Sequence, residues 1–184
     1  MLFTYETERL FLRVLGSEDA DRILDFYVKG KDTFMMWEAK NPASFYTLSY
    51  QKRLLKAEMK QFITGVGARY YVFLKEDPAE IIGTVSLQGI NIAEEGYCRM
   101  GYRLLREFQG QGYMSEAVRR MLRVAVENYE LRKIEADIMP ENEASVRFAK
   151  KMGFKRSEGI VKSYNINGKQ EEHDCYILEI GGDI

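Results

Sequence analysis

The chain has 184 residues, of which 46% are hydrophobic and 30% are charged. That length and composition are enough for one well-buried core, so we expect one domain over residues 1–184. The formal net charge of −1 gives no basic excess for binding nucleic acid or an acidic membrane surface, and neither partner is expected.

The N-terminal segment and the few cysteines bear on the cellular compartment. Residues 1–9 lack the basic flank and long apolar core of a signal peptide, and no apolar run reaches the length of a membrane span. We therefore expect a cytoplasmic protein in which Cys98 and Cys175 are reduced, small apolar residues. His173 is the only histidine, and without a cluster of cysteines or aspartates no metal site is predicted.

The first half of the chain alternates between strand and helix patterns. Ser17, Glu18 and Asp19 form a typical start for the first helix. In the second helix, the spacing of apolar residues places Leu55 and Met59 on one face. The predicted elements are a strand over residues 10–14, a helix over 17–27, an irregular apolar segment over 28–48, a helix over 49–63, and hairpin strands over 70–74 and 81–87.

The second half continues with a strand, helix, strand, helix pattern and a closing hairpin. Asn142 is a plausible N-cap, and Gly153 suits the left-handed position at which a helix ends. The predicted elements are a strand over residues 97–105, a helix over 115–129, a strand over 134–138, a helix from 142 to 151, and strands over 154–164 and 172–180.

A glycine-containing turn, Gln109-Gly110-Gln111-Gly112-Tyr113-Met114, joins the strand over 97–105 to the following helix. Glycines let the backbone approach a ligand closely, and the free N–H groups of a helix start attract anions, so this turn predicts a phosphate site. A P-loop would close with Gly-Lys-Ser/Thr, and a Rossmann turn would need a third glycine. Neither nucleotide motif fits the sequence.

The order of elements and four sequence stretches resemble the GNAT family of N-acetyltransferases. The similarity is sharpest to its branch that acetylates ribosomal-protein N-termini (RimJ/RimL-like). The four stretches are residues 6–13, residues 101–104 with 108–117, residues 142–147 with 151–154, and residues 167–168 with 173–174. The resemblance implies an α/β (α+β) fold with a mixed sheet of about seven strands, splayed between the fourth and fifth, and about four helices.

The resemblance also implies acetyl-CoA as co-substrate and a set of residues that bind it. Met114 departs from the family signature, which has a small residue there, but its amide can still bind phosphate and its side chain should point into the core. The implied cofactor residues are Met100, Tyr102, Leu104, Gln109, Gly110, Gln111, Gly112, Tyr113, Met114 and Asn142.

Catalytic groups are harder to assign from the sequence. The resemblance assigns Ser145 as the general acid for the departing thiolate, although Ser145 could be only a polar first-turn residue and Asn142 only an N-cap. Glu95, Glu107 and Glu158 lie near strand ends as candidate general bases, and each could equally be a solvated surface carboxylate.

The apolar residues 34–50 occupy the position that covers the acceptor pocket in this fold. Phe34, Trp37 and Tyr46 are therefore candidate acceptor-binding residues, with a satellite of the hydrophobic core as the alternative. An N-terminal amine loses its proton more readily than a lysine side chain and would need only a weak base.

These observations predict acetyl transfer from acetyl-CoA to a primary amine by direct attack in a ternary complex. The acceptor would be a peptide or protein N-terminus or a small-molecule amine, and no metal takes part. The alternative function is a non-catalytic acyl-CoA-binding or regulatory module of the same fold. The sequence leaves open whether the chain forms a homodimer.

Overall fold

The computed structural model of the chain describes residues 2–91 and 96–180. Within them, one mixed sheet runs in the order β1-β2-β3-β4-β5-β6-β8-β7. Its strands are β1 (Thr4–Glu6), β2 (Leu10–Arg13), β3 (Gly67–Leu74), β4 (Gly83–Asn91), β5 (Tyr97–Leu104), β6 (Lys133–Ile138), β7 (Lys155–Ile166) and β8 (Lys169–Glu179). The helices are α1 (Ala20–Lys29), α2 (Lys31–Phe34), α3 (Leu48–Thr64), α4 (Tyr113–Tyr129) and α5 (Glu143–Lys151).

The centre of the sheet opens between β5 and β6. These two strands are parallel, and they pair only from Tyr97↔Lys133 to Arg99↔Glu135. On its other edge β5 stays paired with β4 as far as Leu104. Beyond Arg99, the edge of β5 that faces β6 has no strand partner among the described residues, so a gap opens in the middle of the sheet.

Both faces of the sheet are covered by helices. The alternation along β3 sends Tyr70 and Val72 into the cluster that contains α4, whereas Tyr71 and Phe73 enter the cluster that contains α1 and part of α3. All four side chains are almost fully buried. Strand alternation therefore fixes the central strands between two apolar layers and makes them a rigid support for the gap.

The predicted fold class is confirmed: the sheet is mixed, it splays between β5 and β6, and four helices have nine or more residues. The structure adds β1, which is too short to show a clear alternation but pairs with β2 through Thr4↔Arg13. Residues 28–48 are less irregular than predicted, because they contain α2 and a 3-10 turn, Ala43–Tyr46.

The remaining local predictions concern single residues. Asn142 caps α5, and Gly153 adopts a φ of 92° after it. Cys98 and Cys175 are buried and free of disulfides. Among the described helices, none combines the length and apolar character that a membrane crossing requires.

Candidate active site

A cavity of about 800 Å³ occupies the gap between β5 and β6. Its lining includes residues of the glycine turn, of the first turn of α5 and of the segment that follows α1. The predicted site residues that line it are Phe34, Trp37, Met100, Tyr102, Leu104, Gln109, Gly110, Met114, Asn142 and Ser145. Gln111, Gly112, Tyr113 and Tyr46 are outside this lining.

The glycine turn presents backbone rather than side chains at one end of the cavity. Gly110 has a φ of 77° and Gly112 a φ of 84°, a region that other residues rarely adopt. Gly112 is the N-cap of α4, and its carbonyl accepts the first helical hydrogen bond from Glu116 N at 3.1 Å. The N–H groups of the first helical turn have no intrahelical acceptors, so they can bind an anion such as a pyrophosphate.

Side chains fix the turn from both ends. Gln109 Nε2 donates to Leu104 O at 3.1 Å, and Gln111 Nε2 donates to Glu107 O at 2.9 Å. Met114 is buried in the core, as its position in the sequence requires, and its side chain forms part of the cavity wall. An added Cβ on Gly110 would meet nothing within 4 Å, so the space beside the backbone at this glycine is open.

A polar clamp ties the start of α4 to the loop between β1 and β2. The Glu116 carboxylate accepts hydrogen bonds from Arg9 N at 2.8 Å, Arg9 Nε at 2.7 Å and Thr7 Oγ1 at 2.5 Å. Arg9 Nη1 also donates to Gln111 O at 3.1 Å, and its guanidinium lies 4.5 Å from the Tyr113 ring centroid. The clamp thus contacts the glycine turn directly and holds it against the sheet.

Replacing Glu116 by Gln should lower the melting temperature at pH 7. Burial alone would raise the pKa of Glu116, but hydrogen bonds from Thr7 and Arg9 outweigh it and lower the pKa below its ordinary value. A lowered pKa in the folded state stabilises the protein above the unfolded-state pKa of about 4.3, and this contribution is lost as the pH falls through the folded-state value. The melting-temperature difference between the two proteins should therefore shrink below about pH 4.

Glu127→Gln is the matched control, because Glu127 is on the same helix, more than half exposed, and paired with Arg120 at 3.5 Å. Its melting temperature should stay close to that of the wild type, as expected for an exposed ion pair. Equal melting temperatures of Glu116→Gln and wild type at pH 7 would contradict the clamp.

The first turn of α5 brings two hydroxyl groups together in the cavity wall. Asn142 Oδ1 accepts from Ser145 N at 3.1 Å, which is the expected N-cap contact. Ser145 Oγ lies 2.7 Å from Tyr102 Oη, which comes from the middle of β5. Burial raises the pKa of Tyr102 to about 12, so its phenol stays protonated at neutral pH.

Phe34 and Trp37 form another part of the cavity wall. Phe34 is buried and packs on Phe26 with ring centroids 5.3 Å apart, whereas Trp37 is only half-buried. Glu38 forms an ion pair with Arg103 of β5, in which Arg103 Nη2 donates to Glu38 Oε2 at 2.6 Å. This pair anchors the segment above the gap.

Tyr46, the third residue predicted for the acceptor, is directed elsewhere. It packs on Phe45 with ring centroids 5.2 Å apart, and Lys31 Nζ lies 4.9 Å from its ring centroid. Tyr46 also packs against the buried cluster that contains Phe34 and Phe45. It does not line the cavity, whereas Phe34 and Trp37 do.

The cavity wall also has polar residues that the sequence analysis did not single out. Asp137 of β6 has a side chain only 6% exposed, and Tyr164 Oη donates to its Oδ2 at 2.6 Å. Arg99 Nε and Lys162 Nζ lie 3.2 and 3.1 Å from its oxygens. In the sequence, Glu135 and Asp137 alternate with apolar residues, which was the available sign of a polar face on this strand. That pattern could not predict that Lys162 and Tyr164 of β7 contact Asp137.

The candidate general bases are not part of this wall. Glu107 and Glu158 are exposed and do not line the cavity, and Glu95 lies outside the described residues. Of the described carboxylates, those of Glu38 and Asp137 line it. Ligand atoms of Glu135, Asp137 and Cys175 lie within 4.8 Å of one another, close enough for a metal. Lys162 Nζ already binds both carboxylates there.

A splayed sheet with an anion-binding helix start beside the gap is the arrangement of an acyl-CoA-dependent transferase. Residues 9–155 match the family model of the acetyltransferase (GNAT) domain. The chain therefore belongs to the GNAT family of acetyl-CoA-dependent N-acetyltransferases.

Individual relatives point to the same branch as the sequence motifs. The chain is 28% identical over 169 residues to ribosomal protein uS5-alanine N-acetyltransferase of Escherichia coli (strain K12), covering 91% of this chain and 86% of that protein. The crystal structure of ribosomal-protein-S5-alanine acetyltransferase from Vibrio fischeri superposes with a TM-score of 0.88 at 27% identity, covering 96% of each chain.

A more distant neighbour was solved with its co-substrate. Microcin C7 self immunity acetyltransferase MccE, in complex with acetyl-CoA and AMP, has a TM-score of 0.83 at 20% identity, covering 95% of this chain and 94% of that one. At this identity the similarity concerns the fold. Together with the family match, the two relatives confirm the resemblance to the ribosomal-protein acetyltransferase branch.

Proposed function

We propose that this protein transfers the acetyl group of acetyl-CoA to the α-amine of a peptide or protein N-terminus, by direct attack in a ternary complex. The observation that carries the proposal is one continuous cavity whose lining includes both the glycine turn and Trp37. One continuous space can hold a thioester and an amine at the same time, as direct attack requires.

Acetyl-CoA supplies an activated acetyl group, and the chain's own groups bind and orient it. The turn from Gln109 to Met114 and the helix start offer N–H groups to its phosphates, while the unpaired edge of β5 offers N–H groups to pantetheine and to a developing oxyanion. Asn142, at the N-terminal end of α5, lines the same cavity and would also form a hydrogen bond with the cofactor.

The absence of an activated nucleophile among the described cavity residues favours direct attack over an acetyl-enzyme. Cys98 is fully buried in the core, and burial raises the pKa of its thiol to about 12. Cys175 is also buried, and burial raises its pKa as well. A thiol held protonated is a poor nucleophile, so neither cysteine suits a covalent route.

An N-terminal amine is the acceptor that suits this site chemically. Its unperturbed pKa of about 8 makes the neutral form accessible near pH 7, whereas a lysine amine at about 10.4 needs a strong base. Asp137, the buried carboxylate of the cavity wall, is already bound by Tyr164, Lys162 and Arg99 and is poorly placed to act as one. The acceptor named for the uS5-alanine relatives supports the same choice.

The experiment is a screen for thiol release from acetyl-CoA with matched acceptors. Peptides with a free N-terminus, the same peptides with a blocked N-terminus and an internal lysine, and small amines are compared. We expect release with free N-termini and intersecting initial-velocity lines when both substrates are varied. Parallel lines with an acetylated protein in the mass spectrum would contradict direct attack, and acetyl-CoA binding without release for any amine would instead support the non-catalytic module.

A further inference from the structure

The hydroxyl of Tyr102 lies within hydrogen-bond distance of Ser145. It is 2.7 Å from Ser145 Oγ and 3.5 Å from Ser145 O, so both of these contacts are with the same residue. The Tyr102 ring is fixed by packing on Phe148, with ring centroids 4.7 Å apart. The phenol therefore approaches Ser145 from a rigid strand with little freedom to turn away.

Which of the two hydroxyls donates the hydrogen bond decides whether the Ser145 hydrogen is free to point at a ligand. A serine hydroxyl has one hydrogen, and it can point either at Tyr102 or at a sulfur in the cavity. The hydrogen can point at the sulfur while the pair stays intact only if Tyr102 is the donor and Ser145 Oγ the acceptor. The nearest described acceptors for the Tyr102 hydrogen are the two oxygens of Ser145.

We propose that Tyr102 is a positioning residue that donates to Ser145 Oγ and so directs the Ser145 hydrogen toward the departing sulfur of CoA. The proposal rests on the proposed acetyl transfer and adds a residue to it. The amine nitrogen forms the C–N bond, the C–S bond breaks, and its electron pair stays on sulfur as a thiolate. The proton of the amine leaves to solvent, and the two hydroxyls keep their protons.

Stabilisation by hydrogen bonding, without proton transfer, follows from the acidities involved. An ordinary thiol has a pKa of about 8.5, far below the value of about 12 to which burial raises the Tyr102 phenol. Proton transfer from the pair to a thiolate would therefore be strongly uphill. A hydrogen bond to the charge that develops on sulfur avoids this cost and strengthens as the C–S bond breaks.

A double-mutant cycle on kcat tests the positioning role. Ser145→Ala should lower kcat about ten-fold, and Tyr102→Phe about five-fold, the size expected for one hydrogen bond. Because Tyr102 acts through Ser145, the double variant should be no slower than Ser145→Ala alone. Both changes keep the Phe148 contact and the Asn142 cap, so KM for acetyl-CoA should stay near that of the wild type.

Tyr97→Phe is the matched control, since Tyr97 is on the same strand and its hydroxyl donates to Glu135, outside the cavity. It should leave kcat unchanged. Wild-type kcat in Tyr102→Phe would overturn the proposal, as would a double variant in which the two losses multiply.

A binding measurement separates this proposal from the acetyl-transfer proposal, because it needs no acceptor. Near pH 8.5, where an ordinary thiol is about half ionised, the wild type should bind CoA several-fold more tightly than desulfo-CoA. Ser145→Ala and Tyr102→Phe should both reduce that ratio toward one. An unchanged affinity ratio in both variants would contradict the proposed role of the Tyr102 and Ser145 hydroxyls. A reduced ratio without thiol release from any amine would contradict only the proposed acetyl transfer.

Discussion

Replacing Gly112 by Val is expected to abolish measurable acetyl-CoA binding while the fold persists. Gly112 has a φ of 84°, which a β-branched residue avoids, so the backbone of the turn must change. A Cβ at this position would also lie 3.4 Å from Arg9 Nη2, a member of the clamp. Because the N–H groups of the turn bind phosphate only when they converge, a shifted backbone should cost more than a hundred-fold in affinity, about 3 kcal/mol.

The measurement is a thermal shift and calorimetric titration with CoA. Gly65→Val is the control, because Gly65 has a φ of 75° at the C-terminal end of α3 and its added Cβ would meet nothing within 4 Å. It carries a similar backbone strain outside the cavity lining, and it should retain CoA affinity. Wild-type affinity in Gly112→Val would remove the glycine turn from the cofactor site.

Local sequence was sufficient to predict the backbone geometry of the glycine turn and the helix that follows it. The turn from Gln109 to Met114 and the start of α4 are neighbours along the chain, so their glycines and helix pattern report directly on their geometry. The N-cap at Asn142 was predictable for the same reason, since the capping contact reaches only to Ser145. The helix began two residues earlier than predicted, at Tyr113, because Gly112 itself provides the cap position.

Contacts between distant residues were beyond that kind of prediction. Tyr102 and Ser145 are 43 positions apart, and Tyr164 reaches Asp137 from 27 positions away. Each hydroxyl looks ordinary in its own strand or helix, and only the tertiary arrangement of the sheet and α5 brings it to its partner. The clamp between Glu116 and Arg9 spans 107 positions and was missed for the same reason.

The apolar segment over residues 34–50 is an intermediate case. Its composition predicted that it covers a pocket, and two of its aromatic residues, Phe34 and Trp37, line the cavity. Composition could not decide which rings line the cavity, and Tyr46 packs instead against the buried cluster that contains Phe34 and Phe45. The ion pair of Glu38 with Arg103 sets the orientation of this segment, and such a pair has no local signature.

Trp37→Ala is therefore expected to raise KM for the amine about thirty-fold and to leave KM for acetyl-CoA near wild type. Removing a half-buried indole from the cavity wall would forfeit about 2 kcal/mol of contact with an acceptor, which corresponds to that factor. Trp37 is absent from both buried core clusters, so the melting temperature should change little.

Two neighbouring aromatic residues make the comparison decisive. Phe34→Ala should lose several kcal/mol of stability, because Phe34 is buried against Phe26, and its kinetics would then report on folding. Tyr46→Leu keeps an apolar side chain outside the cavity and should preserve both KM values. If Trp37→Ala is stably folded with an unchanged amine KM, the acceptor does not contact Trp37. A raised amine KM in Trp37→Ala with none in Tyr46→Leu would assign the acceptor to the part of the cavity wall that Trp37 forms.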